Sequence, residues 1–314
     1  MNSHNGLYTS FLNLSPFFLA VLLCIAAGLG PGCAGPKMNK PAVEDSTYTQ
    51  YYTGARNAFS QGRLEEAVDY YTLARKRALK TARSDAIANS AVSLAACLIG
   101  LGQYDRARPL LTEACLELVR QGLPIADVLL LRAKADYLAG NLADAQGALY
   151  QLKTDKRSRP TAGHMIQADF IAGRIACDRQ DWCAATAMIE KIQACPTLPT
   201  DKLLQARLAS LKGHLAMGKS IHGTAARMFE QQVDLLRESR QFRALGPALA
   251  RAADAHIADN QFDLGADRFY QAARMAEEWG DVNGARRLAQ RALDAAVKAD
   301  NPDIELLSRS ILMP

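Results

Sequence analysis

Aromatic residues are scarce in this chain of 314 residues, and the usual marks of an enzyme are missing. Phe, Trp and Tyr make up 7% of the sequence, a composition that suits helix-on-helix packing and offers little for β-strands. No string is typical of a nucleophile elbow, a paired-acid motif or a dinucleotide fingerprint. The net charge of +5 is a small excess for a nucleic-acid-binding surface. These absences favour an all-α protein without catalysis, cofactor, small-molecule substrate or nucleic-acid partner.

Histidines and cysteines do not fall at metal-ligand spacing, so the sequence predicts no metal site. The histidines beyond the N-terminal segment are His164, His214, His222 and His256. Apart from Cys24 and Cys33 there are five cysteines, so at least one cannot pair within the chain. Cys177 and Cys183 flank a tight turn, and two alternatives stay open for them. They form a disulfide, which an exported protein permits, or they are buried apolar thiols.

A skeleton of small residues returns about every forty residues. Turn-forming residues mark the units at Gly62, Gly102, Gly140, Gln180, Ser220 and Asn260. Five residues after each turn stand Ala67, Ala107, Ala145, Ala185, Ala225 and Gly265, and seven before it stand Ala55, Ala95, Ala133, Gly173, Gly213 and Ala253. Four residues beyond the first of these sets stand Tyr71, Leu111, Leu149, Ile189, Phe229 and Phe269. Small residues let two antiparallel helices approach closely, and large ones fill the layer between units. The pattern therefore predicts stacked helix-turn-helix repeats.

Several strings resemble the turn and second helix of tetratricopeptide repeats: GRLEEAVDYYTLA (62–74), GQYDRARPLLTEA (102–114) and NQFDLGADRFYQAA (260–273). The resemblance covers residues 48–280. It implies an all-α fold over residues 47–314, an α-solenoid of antiparallel helix pairs with about six repeats and C-terminal capping helices from about residue 281. The period is longer than the usual 34 residues, and the Pro that commonly closes the second helix is mostly missing. Longer helices or longer connections would account for both differences.

The N-terminal segment differs from the rest of the chain. An apolar run over residues 17–29 ends in Gly30-Pro31-Gly32-Cys33-Ala34, which resembles a bacterial lipoprotein signal. The resemblance implies a signal peptide over residues 1–32, palmitate-type lipidation of Cys33, and a flexible tether over residues 33–46. Ala34 after the lipidated Cys is typical of lipoproteins that reach the outer membrane, facing the periplasm. The alternative is an uncleaved transmembrane anchor, because the stretch that begins at Phe11 is about nineteen residues long. The cationic start that is typical of such signals is also missing, since no Lys or Arg precedes Lys37.

One string fits the phosphate-binding loop G-x-x-x-x-G-K-[ST] to the letter: Gly213 to Ser220. That motif has meaning only between a buried strand and a helix. Leu204, Leu208 and Leu211 keep helical spacing before it, and Gly213 occupies the small-residue position of its repeat. A nucleotide-binding regulatory protein is therefore the alternative function, and a packing glycine is the competing interpretation.

In tetratricopeptide arrays the first helix of each unit lines a concave groove that receives a partner peptide. Carried over by register, the resemblance implies a partner-binding groove made of Tyr52, Arg56, Phe59, Lys134, Tyr137, Phe170, Arg174 and His214. This is an apolar and aromatic floor crossed by exposed cations, suited to an acidic-hydrophobic segment or a terminal carboxylate. The alternative is that a basic chain simply places cations on solvated faces. The expected function is a membrane-anchored scaffold or adaptor of the bacterial cell envelope that binds other envelope proteins through peptide segments.

Overall fold

The computed structural model describes residues 45–313 of the chain. The predicted signal peptide, the lipidation site at Cys33 and nearly all of the tether lie outside the described residues. Residues 45–117 and 118–313 form two compact units, which are described separately. All regular structure in both is α-helical, so the prediction of an all-α fold is confirmed.

The N-terminal unit consists of helices α1 to α4. They are α1 (Ser46–Ser60), α2 (Leu64–Lys80), α3 (Ser84–Gly100) and α4 (Tyr104–Arg120), the last turn of which belongs to the C-terminal unit. Asp45 caps the first helix by accepting a hydrogen bond from the Tyr48 amide at 3.2 Å. Three-residue turns join the helices, so α1 and α2 run antiparallel and pack against each other, as do α2 and α3.

The C-terminal unit continues the same architecture over ten helices. They are α5 (Ala126–Leu138), α6 (Leu142–Thr154), α7 (Ala162–Asp178), α8 (Trp182–Gln193), α9 (Lys202–Gly218), α10 (His222–Glu238), α11 (Phe242–Ala258), α12 (Phe262–Glu278), α13 (Val282–Ala299) and α14 (Pro302–Leu312). We call α1, α3, α5, α7, α9 and α11 the first helices. Their partners, the second helices, are α2, α4, α6, α8, α10 and α12. Within this unit, α7 contacts both α5 and α9, so successive first helices lie side by side.

Each predicted turn residue adopts the left-handed backbone conformation. The φ values are +86° at Gly62, +73° at Gly102, +80° at Gly140, +60° at Gln180, +58° at Ser220 and +62° at Asn260. In the first turn the Arg63 amide donates to the Ala58 carbonyl at 3.0 Å, and the Gly62 amide donates to the Phe59 carbonyl at 3.1 Å. This pair of bonds is the Schellman motif, which satisfies carbonyls at a helix C-terminus.

The length of the helices explains the long period. Eight of the described helices have 17 residues, and most of the turns that join them have three. Two such helices with two such turns make up the forty-residue unit. Where helices are shorter, as in α6 and α8, longer connections over residues 155–161 and 194–201 restore the interval.

The small and large positions of the repeat pack as predicted. Ala55, Ala95, Ala107, Ala145 and Ala225 are fully buried, and the large residues from Tyr71 to Phe269 are all buried. Glycine is required where the pattern has it. A Cβ at Gly173 would lie 2.7 Å from Leu211, and one at Gly265 would lie 2.5 Å from Ile257. These distances are too short for an added methyl group, so the helices pack backbone against side chain.

Helices α13 and α14 lie in the region where the sequence predicts C-terminal capping helices. Asn301 caps α14 and Pro302 occupies its first turn. Ala292, Leu293 and Ala296 of α13 are buried, whereas Val297 is 55% exposed. Among residues 45–313, no helix is both long and apolar enough to cross a membrane.

Candidate functional site

In the N-terminal unit, the predicted groove residues lie on α1, and Tyr52 reaches α3. The Tyr52 hydroxyl lies 3.0 Å from the Ser93 hydroxyl, and its ring meets that of Tyr71 edge to face, with centroids 5.3 Å apart. Burial raises the pKa of Tyr52. Phe59 is half-buried, while Arg56 is exposed one turn from Tyr52. This face therefore presents a partly covered aromatic surface beside an exposed cation.

In the C-terminal unit, the structure brings Tyr137 and Arg174 together. Arg174 donates from Nε and Nη2 to the Tyr137 hydroxyl at 3.2 and 3.0 Å, and its guanidinium lies over the tyrosine ring, 5.9 Å from the centroid. Burial raises the pKa of Tyr137 to about 12. Arg174 is only 7% exposed, so the expectation of an exposed charge is wrong at this position. Its guanidinium is engaged between two neighbouring first helices.

The remaining predicted residues of this unit are partly or fully covered, so the expectation of an exposed charge is also wrong at Lys134. Phe170 is buried, and Lys134 and His214 are half-buried. The His214 ring meets Phe229 edge to face, with centroids 5.1 Å apart. Burial, followed by the charge of Arg207, lowers the pKa of Lys134 to about 7. On the first helices of this unit, the charged side chains are therefore largely covered by neighbouring residues.

Two cations of this unit are absent from the sequence prediction. Arg207 lies on α9 two helical turns before His214, on the same side of the helix. Arg251 is buried on α11, 7% exposed, and donates from Nη2 to the Gln232 side chain at 3.3 Å. Burial lowers the pKa of both guanidinium groups. Neither position belongs to the small or the large positions of the repeat, so the register gives no signal for these two cations.

The structure does not support the phosphate-loop alternative. Gly213 lies inside α9, where a Cβ would approach Phe229 to 2.6 Å. Gly218 ends the helix, and the amides of Lys219 and Ser220 already donate to the Leu215 and Met217 carbonyls at 3.1 and 2.9 Å. The C-terminus of a helix carries the negative end of the helix dipole, and this disfavours binding of a phosphate. The string is a packing glycine followed by a helix C-terminus.

Cys177 and Cys183 differ from each other in the structure. No disulfide joins them. Cys177 is buried, and burial raises its thiol pKa to about 11, as expected for an inert core thiol. Cys183 is exposed at the start of α8, so the interpretation as a buried thiol holds for Cys177 and is wrong for Cys183.

A cavity of about 560 Å³ lies along α10, lined by Glu230, His256 and Gln261 among others. Its central carboxylate is already paired, because Glu230 accepts from His256 Nε2 at 2.9 Å and from Arg268 Nε at 2.8 Å. His256 Nδ1 lies 2.7 Å from the Gln261 side chain. These contacts join α10, α11 and α12. The cluster therefore has a structural explanation, and within residues 45–313 no group of His, Cys, Asp or Glu is arranged to hold a metal ion.

The helix-turn-helix units, with left-handed turns and small residues at the helix contacts, define a helical-repeat fold of the tetratricopeptide type. Solved structures that are similar to the chain include two helical-repeat proteins. A tetratricopeptide repeat protein from Parabacteroides merdae is 14% identical over 85% of this chain and 99% of its own, with a TM-score of 0.46. The TPR2AB domain of yeast Sti1, in complex with pHSP90, is 14% identical over 85% of this chain and 98% of its own, with a TM-score of 0.35. No protein-family profile matches the sequence, and no curated protein matches it significantly.

Proposed function

We propose that the protein is a non-catalytic protein–protein interaction scaffold, and that the face of its first helices binds peptide segments of partners. The observation that carries this proposal is that side chains of neighbouring first helices contact each other. Tyr52 meets Ser93 in the N-terminal unit, and Tyr137 meets Arg174 in the C-terminal unit. These contacts support the proposal that aromatic and cationic side chains share one face of the stacked helices within each unit.

Such a face suits peptide recognition for a physical reason. Aromatic side chains supply apolar area at low entropic cost, and nearby cations orient an acidic segment. In the N-terminal unit the aromatic side chains are held by their neighbours, with the rings of Tyr48 and Tyr52 stacked 5.5 Å apart. A surface held in place before binding loses less freedom when the partner docks.

We further propose that the scaffold is anchored to a membrane of the bacterial cell envelope, by lipid on Cys33, and that its partners are envelope proteins. The support is sequence alone: an apolar run followed by small residues immediately before Cys33. The Ala at position 34 favours the outer membrane.

The test is the affinity of a partner peptide after one charge reversal. Partners are first identified by crosslinking in intact cells, and their segments are then screened as synthetic peptides against the purified full-length protein. Arg56→Glu should weaken the selected peptide about tenfold or more, because the exposed Arg56 becomes a repulsive charge beside Tyr52.

The matched control is Lys76→Glu, an exposed cation on the second helix α2. The neighbouring Arg75 is not a suitable control, because its Nη2 atom forms a salt bridge with Glu113 at 2.7 Å. Equal weakening by both reversals would mean that only net charge matters. Unchanged binding with Arg56 reversed would exclude the α1 face as the peptide site.

A further inference from the structure

His256 is the centre of a chain of hydrogen bonds at the cavity along α10. The ring is nearly enclosed, with 8% of the side chain exposed. Its Nε2 atom lies 2.9 Å from a carboxylate oxygen of Glu230 on α10, and its Nδ1 atom lies 2.7 Å from Oε1 of Gln261 in the turn before α12. Both ring nitrogens of this α11 residue therefore face an oxygen atom of another element.

The contacts of Gln261 determine which of its side-chain atoms faces the histidine. Its Nε2 atom donates to Asp259 Oδ2 at 3.0 Å. Turning the amide over would place its carbonyl oxygen against that carboxylate oxygen, and two acceptors cannot share a hydrogen bond. The amide oxygen therefore faces His256 Nδ1. Because this oxygen only accepts, a hydrogen bond here requires a proton on Nδ1.

The partner of the other ring nitrogen is a carboxylate that stays ionised. Burial alone would raise the pKa of Glu230, but hydrogen bonds from His256 and Arg268 outweigh burial, and the pKa is lowered. Arg268 Nε donates to the same oxygen at 2.8 Å. An ionised carboxylate only accepts, so the bond at His256 Nε2 requires a proton on that nitrogen too. An imidazole with protons on both nitrogens is an imidazolium cation.

The charges around the ring favour this cation. Helix α11 packs on α10 and α12. The charged residues of α10 that line the cavity are Arg227, Glu230, Asp234 and Glu238. Asp259 lines it from the turn, and Arg268 of α12 is shared between Glu230 and Asp267. The hydrogen bond to Glu230 is the largest cause that raises the pKa of His256, and it outweighs burial.

We propose that His256, Glu230, Gln261 and Asp259 form a pH-sensitive joint, in which the imidazolium holds α10 to the turn between α11 and α12 and loss of its proton releases that turn. A neutral imidazole has one N–H group, so either Glu230 or Gln261 would then face a lone pair of the ring. An acceptor without a donor in a covered site is costly. The turn is held further by the Gln261 amide, which donates to the His256 carbonyl at 2.8 Å, so both contacts of Gln261 depend on one residue.

The direction of the pH effect follows from the raised pKa of His256. The imidazolium stabilises the joint fully below the ordinary value of 6.5, and this stabilisation is lost as pH rises through the pKa of the folded protein. The joint is therefore closed at the acidic end of this range and open at the alkaline end.

Nitrogen-15 NMR of the histidine rings in the full-length protein, in non-ionic detergent, tests the imidazolium. His256→Gln identifies the His256 signals by their loss, and we expect the titration midpoint of His256 to lie above 6.5. Glu230→Gln should lower that midpoint, because it removes the neighbouring negative charge. The matched control is Asp127→Asn, whose carboxylate lies 2.9 Å from His164 instead, and it should leave the His256 midpoint unchanged.

Amide hydrogen exchange measures the opening of the joint. Protection of residues 259–268, corrected for the pH dependence of exchange in an unfolded chain, should fall as pH rises through the His256 midpoint. Residues 179–188 are the control within the same protein. Their turn has the same left-handed conformation, with a φ of +60° at Gln180 against +62° at Asn260, and it contains no histidine. Their protection should show no such step, and His256→Gln should abolish the step in residues 259–268.

Two results would overturn the proposal. The first is a His256 midpoint at or below 6.5, or one that Glu230→Gln does not lower. The second is constant protection of residues 259–268 while His256 titrates, since the proton would then leave without releasing the turn. If His256→Gln does not fold, Glu230→Gln provides the same test, because the step in protection should move with the lowered midpoint. These measurements use no partner peptide, so their outcome does not bear on the scaffold proposal.

Discussion

At the scale of single residues, Gly213 has no Cβ, and this explains the first glycine of the string Gly213 to Ser220 as a contact between helices. We predict that Gly213→Ala destabilises the protein by about 1–3 kcal/mol through overpacking, because the new methyl carbon would lie 2.6 Å from the Phe229 ring. Chemical denaturation of the parent and the variant measures the difference in free energy of unfolding.

Gly147→Ala is the matched control within a helix. Gly147 is exposed on α6, and no heavy atom lies within 4 Å of a Cβ placed there. Since alanine is the better helix former, this change should stabilise by about 0.5–1 kcal/mol. A neutral or stabilising Gly213→Ala would contradict the close approach of α9 and α10.

Lys134 gives a prediction with a definite sign in pH. Its pKa is lowered to about 7 from an ordinary value of 10.5, so between these values the unfolded chain binds the proton and the folded protein does not. The free energy of unfolding should therefore rise with pH through this window. Lys134→Met should remove that rise and be more stable than the parent, with the largest advantage below pH 7.

Urea denaturation of both proteins, at one pH below about 7 and one just below 10.5, checks this. A parent-minus-variant difference that does not change between the two pH values would show that Lys134 stays protonated when folded.

The small residues of the repeat were predictable from sequence, whereas the roles of the two cations Arg207 and Arg251 were not. Gly173 and Gly213 recur at a fixed register, and register alone identifies helix contacts. Arg207 and Arg251 stand at different registers of their helices. Their surroundings depend on how neighbouring helices pack against each other, as where Arg251 meets Gln232 of α10, and spacing along one helix does not contain that information.

At the scale of helices and turns, the three-residue turns between pairs have the same backbone conformation as the turns within pairs. Arg240 joins two pairs with a φ of +55°, close to the +58° of Ser220 inside a pair. The turn-forming residues within the helix pairs could be identified from the sequence. The turns between pairs were not, since Ala82 and Arg240 are ordinary residues held left-handed by the hydrogen bonds of the motif.

We predict that Gly140→Ala destabilises the protein by about 1 kcal/mol. Gly140 has a φ of +80°, and nothing lies within 4 Å of an added Cβ, so the whole effect comes from the backbone conformation that L-residues disfavour. Thermal melts should show the loss. Arg240→Gly, the reverse change at a left-handed position, should leave stability unchanged or increase it, and a clear decrease would contradict the backbone argument.

At the scale of the whole molecule, the proposed anchor sets where the repeats work. Cys33→Ala should abolish incorporation of a palmitate analogue and leave an uncleaved precursor, because no other thiol follows the small residues at 30–32. Metabolic labelling with gel mobility measures both. Cys24→Ala is the control and should be labelled normally, and lipid incorporation into Cys33→Ala would exclude the lipoprotein proposal.

Three-residue turns also determine how the chain finds its structure. Within each unit a helix packs mainly on the next one or two helices along the chain, so most native contacts close short loops at a small entropic cost. Such local topology favours rapid folding that can begin at any pair and spread to its neighbours. A polypeptide emerging from the ribosome, or from an export channel, could therefore bury its apolar surface pair by pair. Little of that surface would wait, exposed to aggregation, for a distant partner in the sequence.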